Sequence, residues 1–163
     1  MIHPFPGYRA YLAASSANPG SSAATVIVTK GDMQAERTIK IADASLDEII
    51  LAGFELALKL VAEKADPVSI VVEAMWISLV SRDIISKNPH MQAANDLWIA
   101  AFKRRTSSEP MTVELLPYRP RTPEEVLDRE RLEKTRATAY LTAFPKEIYL
   151  PPPGLVAPPG SQG

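Results

Sequence analysis

Between Thr25 and Ile41 the chain carries the local chemistry of a β-hairpin, and that hairpin limits what the rest can become. Thr25-Val26-Ile27-Val28-Thr29 is β-branched throughout and stops at Lys30-Gly31-Asp32, a tight-turn signal. Arg37 to Ile41 then alternates Arg, Thr, Ile, Lys, Ile, the period of a half-buried strand. Upstream, Tyr8 to Ala14 mixes tyrosines and Leu12 with small residues and reads as a further strand. It is followed by Ser, Gly, Asn and Pro turn chemistry over Ser15 to Ser22. The first three strands are therefore expected to form an antiparallel meander.

Alternating elements follow. Ser45 stands three residues before Glu48, the spacing of a capping box. Ile49, Ile50, Phe54, Leu56, Leu58 and Val61 then continue a helix to about Lys64, where Ala65-Asp66-Pro67 ends it. Val68 to Val72 is short and almost wholly apolar, which suits a central strand buried on both faces. Trp76 to Ile85 and Gln92 to Arg104 read as two helices, and Met111 to Leu116 as another strand. Thr122-Pro123-Glu124-Glu125 opens a last helix: threonine can cap, proline fits the first turn, and both glutamates complement the helix dipole. Arg129, Glu130, Arg131, Glu133, Lys134 and Arg136 on that helix read as a solvated face. The expected architecture is α/β, a mixed five-stranded sheet of antiparallel meander plus parallel strands, flanked by helices. Residues 1–7 read as an extended lead-in, 8–143 as one domain, and 144–163 as a proline-rich tail without a core of its own.

Composition narrows the function classes. The 163 residues carry a formal charge of -1, which gives no global pull toward nucleic acid or anionic membrane. No cysteine is present, so disulfides and thiolate metal sites are excluded. His3 and His90 are too few for a histidine-rich zinc site, and His90 reads as a solvated loop residue. No apolar run approaches the roughly 20 residues that span a bilayer. The N-terminus lacks the basic start and apolar core of a signal peptide, so a cytoplasmic location is expected.

Several landmarks, in order, resemble the ribonuclease H family. Tyr11-Leu12-Ala13-Ala14-Ser15 followed by Asn18-Pro19-Gly20 resembles its opening strand and turn. Phe54-Glu55-Leu56-Ala57-Leu58 is similar to the middle of its first helix, and Val68-Ser69-Ile70-Val71-Val72-Glu73 to its central strand. Asn95-Asp96-Leu97-Trp98 and Pro123-Glu124-Glu125-Val126-Leu127-Asp128 are similar to two later helices. In that family four carboxylates hold two magnesium ions that activate water for RNA-strand cleavage. The resemblance places those four positions on Ala13, Ile50, Glu73 and Asp128, so only two acids remain. A flexible-loop histidine has no counterpart, since Tyr118 and Arg119 lie in that region.

The resemblance thus implies a catalytically degenerate domain, a pseudoenzyme kept as a nucleic-acid-binding module for duplex or RNA/DNA hybrid, or as a scaffold. No catalytic residue and no cofactor are expected, with at most weak Mg or Mn binding at Glu73 and Asp128. The candidate nucleic-acid contacts are Lys103, Arg104 and Arg105, with Arg119 and Arg121 extending the patch. At a helix C-terminus, Lys103-Arg104-Arg105 equally complements the dipole. Two alternatives stand beside this reading. One is a protein-interaction adaptor or homodimer using an apolar former cleft. The other is a rewired nuclease using Glu73, Asp128 and either Asp47 or Glu48. Glu73 reads equally well as a strand-end carboxylate paired with a cation. Asp128 reads more simply as an exposed residue in a helix's first turns, and Trp76 and Trp98 as core.

Overall fold

The computed structural model describes residues 3–17, 20–61, 64, 66–76 and 111–145. Five strands lie in one sheet: β1 Tyr8–Ser15, β2 Ser21–Lys30, β3 Met33–Ala42, β4 Val68–Glu73 and β5 Met111–Leu116. Among the described residues two α-helices flank them, α1 Leu46–Val61 and α2 Pro123–Ala143. The strand order is β3-β2-β1-β4-β5. β1, β2 and β3 pair antiparallel, whereas β4 runs parallel to both β1 and β5. This is the mixed sheet that the meander and the later alternation imply.

The local signals explain the element ends. Gly31 turns the β2–β3 hairpin at φ 61°, with only Asp32 between it and Met33. A glycine with positive φ at the first central position is the signature of a type II′ turn, whose twist matches the flanking strands. α1 opens on the expected capping box. The Glu48 N–H donates to Ser45 Oγ at 3.2 Å, and Ser45 Oγ donates back to Glu48 Oε1 at 3.0 Å. In α2, Thr122 Oγ1 accepts from the Glu125 N–H at 3.1 Å, and Pro123 takes the first turn.

The sheet has two different faces. Ala10, Leu12 and Ala14 of β1, Ala24, Val26 and Val28 of β2, and Val68, Ile70 and Val72 of β4 form an apolar layer under α1. From the helix come Ile49, Ile50, Phe54, Ala57, Leu58 and Val61, the recurring face of a 3.6-residue period. Each fully buried large side chain contributes about 1.5–3 kcal/mol. α1 lies so close to the sheet that a Cβ at Gly53 would meet Leu12 Cδ1 at 2.6 Å and Ala24 Cβ at 2.7 Å. The opposite face, under α2, holds a smaller apolar cluster of Tyr11, Ala13, Val71, Leu116 and Leu132. Ala23 and Ile27 of β2 are buried on the same face, and polar side chains such as Arg9, Thr25, Ser69 and Glu73 share it.

β4 is buried at all six positions, as a central strand should be. β3 departs from expectation. It is exposed along its length except at Ile39, which is partly buried, although the alternation at Arg37 to Ile41 implied a half-buried strand. The reason is position: β3 is the edge of the sheet, and both helices pack chiefly on β1 and β2. Trp76 packs into the α1-side core from a single 3-10 turn, Ala74–Trp76. The remainder of the helix expected over 76–85, the one over 92–104 with Trp98, His90, Asn18-Pro19 and the tail from 146 onward lie outside the described residues. Among the described residues, no helix is long and apolar enough to cross a membrane.

Candidate functional site

Strand alternation decides which side chains can meet α2. Arg9, Tyr11 and Ala13 of β1 share that face, as do Ser69, Val71 and Glu73 of β4. The parallel register sets Tyr11 beside Val71, so two residues further along both strands Ala13 is level with Glu73. Ala13 is 2% exposed and packs with Val71, Leu116 and Leu132. Ile50 is 1% exposed but belongs to the apolar layer under α1, on the other side of the sheet. The structure therefore brings Ala13, Glu73 and Asp128 to one face and leaves Ile50 on the other. Asp47 and Glu48 lie in the first turn of α1, where Glu48 is occupied in the capping box.

Both remaining carboxylates are buried and held by arginines of the same chain. Glu73 is 5% exposed and Arg129 3%. Arg129 Nη1 donates to Glu73 Oε1 at 2.5 Å and Nη2 to Oε2 at 3.1 Å, a bidentate fork. Arg129 Nη2 also donates to the Pro117 carbonyl at 2.6 Å, tying α2 to the segment after β5. Arg136 donates to Glu73 Oε1 as well and pairs with Glu133 at 3.2 Å.

Asp128, 4% exposed, sits in a second network. Arg9 Nη2 donates to its Oδ2 at 2.7 Å, and the Tyr11 hydroxyl donates to its Oδ1 at 2.6 Å. Arg9 reaches in the other direction to Glu114 Oε2 at 2.5 Å, which also accepts from the Ser69 hydroxyl. The Arg131 guanidinium donates to the Tyr11 hydroxyl at 3.3 Å. His3 Nδ1 accepts from the Phe5 N–H at 3.0 Å. That bond places the neutral ring's proton on Nε2, which lies 3.2 Å from Asp128 Oδ1 without the alignment of a hydrogen bond.

The electrostatics follow from this mutual dependence. Burial alone would lower the Arg9 pKa, but Asp128, Tyr11 and Glu114 beside it outweigh burial and hold it above its ordinary value. Burial would raise Glu114, yet the Ser69 hydroxyl and Arg9 bring it below the usual carboxylate range. Burial, and then the hydrogen bond to Asp128, push the Tyr11 phenol up. Burial, then the charge of Arg9, push His3 down.

Two expectations are corrected by this geometry. Asp128 is not an exposed residue of the helix's first turns, and the face carrying Arg129 and Glu133 is not solvated. Those side chains are buried because the middle strand presents Arg9, and the end of β4 presents Glu73, directly beneath α2. Arg9, Tyr11 and Glu114 were not singled out from the sequence. A lone arginine two residues before Tyr11 in an otherwise apolar strand was the available signal. Of the expected basic patch, Arg119 and Arg121 are exposed between β5 and α2, with Arg121 Nε 3.5 Å from Glu125. Lys103, Arg104 and Arg105 lie outside the described residues.

The two magnesium ions that the resemblance implies would need free, convergent oxygens. Ala13 offers none, Ile50 faces away, and the oxygens of Glu73 and Asp128 accept hydrogen bonds from arginine and tyrosine donors. Among the described residues no group of three or more His, Cys, Asp or Glu is placed to hold a metal ion. The residues present do not fit a two-ion centre. An open pocket of about 240 Å³ between Tyr8, Lys30, Met33, Arg37 and Lys64 lies on the α1 side of the sheet, the opposite face from this site.

No protein-family model and no curated protein sequence matches the chain. Solved structures do. RNase H1 from the halophilic archaeon Halobacterium salinarum NRC-1 is similar at 17% identity and TM-score 0.54, over 86% of this chain and 98% of that one. The RNase H domain of PFV is similar at 13% identity and TM-score 0.52, over 83% and 95%. A foamy viral protease-reverse transcriptase, solved in complex with RNA/DNA hybrid, is similar at 11% identity and TM-score 0.51, over 89% of this chain and 21% of that one. With the strand order and the placement of both helices, these likenesses identify the architecture as a ribonuclease H-like fold.

Proposed function

We propose that this domain is a non-cleaving ribonuclease H-like module that works by binding. The carrying observation is that Glu73 and Asp128, the two acids left at the family's ligand positions, are anchored to Arg129 and Arg9. Carboxylates spent in this way hold α2 on the sheet. Releasing them to a cation would strand two buried guanidinium groups, which is costly.

The ligand we propose is duplex or RNA/DNA hybrid. Support comes from the fold, from the RNA/DNA hybrid bound by the foamy viral structure, and from the exposed Arg119 and Arg121. Lys103, Arg104 and Arg105 complete the proposed patch. The apolar-cleft version of the adaptor reading has less support, because Ala13 and Ile50 are both buried within the chain and offer a partner no surface.

The test is an anisotropy titration with a labelled RNA–DNA hybrid, without metal, at low and moderate salt, alongside a cleavage assay with Mg²⁺ and Mn²⁺. The expected result is saturable, salt-weakened binding without cleavage. Glutamine at Lys103, Arg104 and Arg105, or at Arg119 and Arg121, should flatten the salt dependence, by about 0.9 in logarithmic slope for every phosphate that is no longer neutralised. Absence of binding at tens of micromolar overturns the nucleic-acid reading. Metal-dependent cleavage that Glu73→Gln abolishes overturns the non-cleaving one.

A further inference from the structure

We infer that the outer edge of β3 pairs antiparallel with β3 of a second copy, joining two five-stranded sheets across a dyad at Thr38. The observation is a ten-residue strand at the sheet edge, without proline, and with charged residues confined to Glu36, Arg37 and Lys40. An edge of that length is a template for another strand unless something blunts it.

The hairpin determines which backbone groups face outward. In a two-residue hairpin the closing pair, Lys30 and Met33, exchanges both hydrogen bonds. Alternation then turns Met33, Ala35, Arg37, Ile39 and Ile41 toward β2. Gln34, Glu36, Thr38, Lys40 and Ala42 direct their N–H and C=O groups away from the sheet. Consistent with this, the Arg37 guanidinium reaches back to the Glu36 carbonyl at 2.7 Å, covering an outward acceptor that no strand uses.

Charge selects one register from the few that match these outward groups. A dyad at Glu36, Arg37 or Lys40 sets identical charges opposite each other. A dyad at Ile39 pairs Thr38 with Lys40 and leaves Glu36 opposite Ala42. A dyad at Thr38 sets Glu36 of each copy opposite Lys40 of the other, twice, and Gln34 opposite Ala42. It also places Ala35 opposite Ile41, giving that exposed side chain an apolar neighbour. Neither Glu36 nor Lys40 has an ion-pair partner among the described residues, so nothing there competes for them.

The full chain should sediment as a dimer in the micromolar range. Glu36→Lys or Lys40→Glu alone turns two attractive pairs into repulsive ones and should weaken the dimer about tenfold or more. The double variant Glu36→Lys with Lys40→Glu restores both pairs in reversed sense and should restore the dimer. Thr38→Pro removes an outward N–H that no β2 bond uses, together with the hydroxyl that meets Thr25 Oγ1 at 2.9 Å, so it should give a somewhat less stable but folded monomer, with folding checked by circular dichroism. A wild-type chain that stays monomeric at hundreds of micromolar overturns the pairing. So does a dimer insensitive to the single exchanges, or a double variant that stays as weak as they are. Hybrid binding is read in a separate titration, so failure of either idea leaves the other standing.

Discussion

Arg129 grips Glu73 through both guanidinium nitrogens, at 2.5 and 3.1 Å, with both side chains almost fully removed from solvent. This single relationship joins the end of the central strand to the last helix across 56 residues of sequence. It also reverses the chemistry the position would have in a metal-dependent nuclease. There, a carboxylate at the end of this strand would wait for a cation from solution; here the cation is covalently part of the chain. Arg9 and Asp128 repeat the arrangement one network away.

Removing Glu73 should therefore cost stability. Glu73→Gln leaves Arg129 and Arg136 without their shared anion, and breaking one partner of a buried pair costs about 3–5 kcal/mol. Arg121→Ala, which removes an exposed pair with Glu125, should cost no more than about 1 kcal/mol. Urea unfolding of the two variants compares them directly. A Glu73→Gln variant as stable as the native protein would show that the fork does not hold α2 in place.

Restoring an acid at Ala13 should fail to make a metal site. The new carboxylate would enter a pocket formed by Val71, Leu116 and Leu132, level with Glu73, whose arginine is already committed. An uncompensated buried charge of this kind costs about 3–5 kcal/mol, a fall of roughly 10 °C in melting temperature for a domain of this size. Melting Ala13→Asp with and without millimolar Mg²⁺ tests this. A melt raised by several degrees on adding the ion would mean that the arginines yield to metal.

How much of this was legible follows from where each signal resides. α1 and β4 were readable because Ser45 with Glu48, and the apolar run from Val68, carry their instructions locally. Motif order assigned the apolar Ala13 and Ile50 to two of the family's ligand positions, but it gave no sign that Ile50 packs in the layer under α1 while Ala13 lies beneath α2. The burial of Asp128 was not readable either. Its partner Arg9 is 119 residues away, and a helix as polar as α2 has the composition of a solvated one. β3 misled for the related reason that alternation reports a capacity for burial. Whether a helix covers the strand is decided by sheet order, which no residue of β3 encodes.

Gly53 provides a test of the α1 side. Alanine there should gain about 1 kcal/mol in helix propensity. A Cβ would, however, approach Leu12 Cδ1 at 2.6 Å and Ala24 Cβ at 2.7 Å, and the latter belongs to strand β2, which cannot rotate away. Overpacking of this kind costs about 1–3 kcal/mol, so Gly53→Ala should be destabilising on balance. A stabilised variant, measured by denaturant midpoint, would mean that α1 can lift from the sheet without penalty.

The network around Asp128 should make the fold acid-sensitive. His3 has its pKa lowered by burial and by Arg9, with Arg131 acting in the same sense and Asp128 against it. A depressed pKa means the neutral form is preferred in the folded state. That contribution is fully present above the ordinary value of 6.5 and is lost as pH falls below it. The geometry agrees, because protonating Nδ1 removes the acceptor that the Phe5 N–H uses. Glu114, also lowered, adds a second loss below about pH 4.5, whereas the raised Tyr11 contributes stability that fades only as pH climbs past 10. Stability measured by urea unfolding should therefore decline gently as pH falls below about 6.5 and more steeply below about 4.5. His3→Asn, whose side-chain oxygen can still accept from Phe5, should flatten the upper part of that decline and leave the lower part intact. An unchanged slope over that upper range would show that His3 takes up its proton without disturbing the contacts between the N-terminal segment and Asp128.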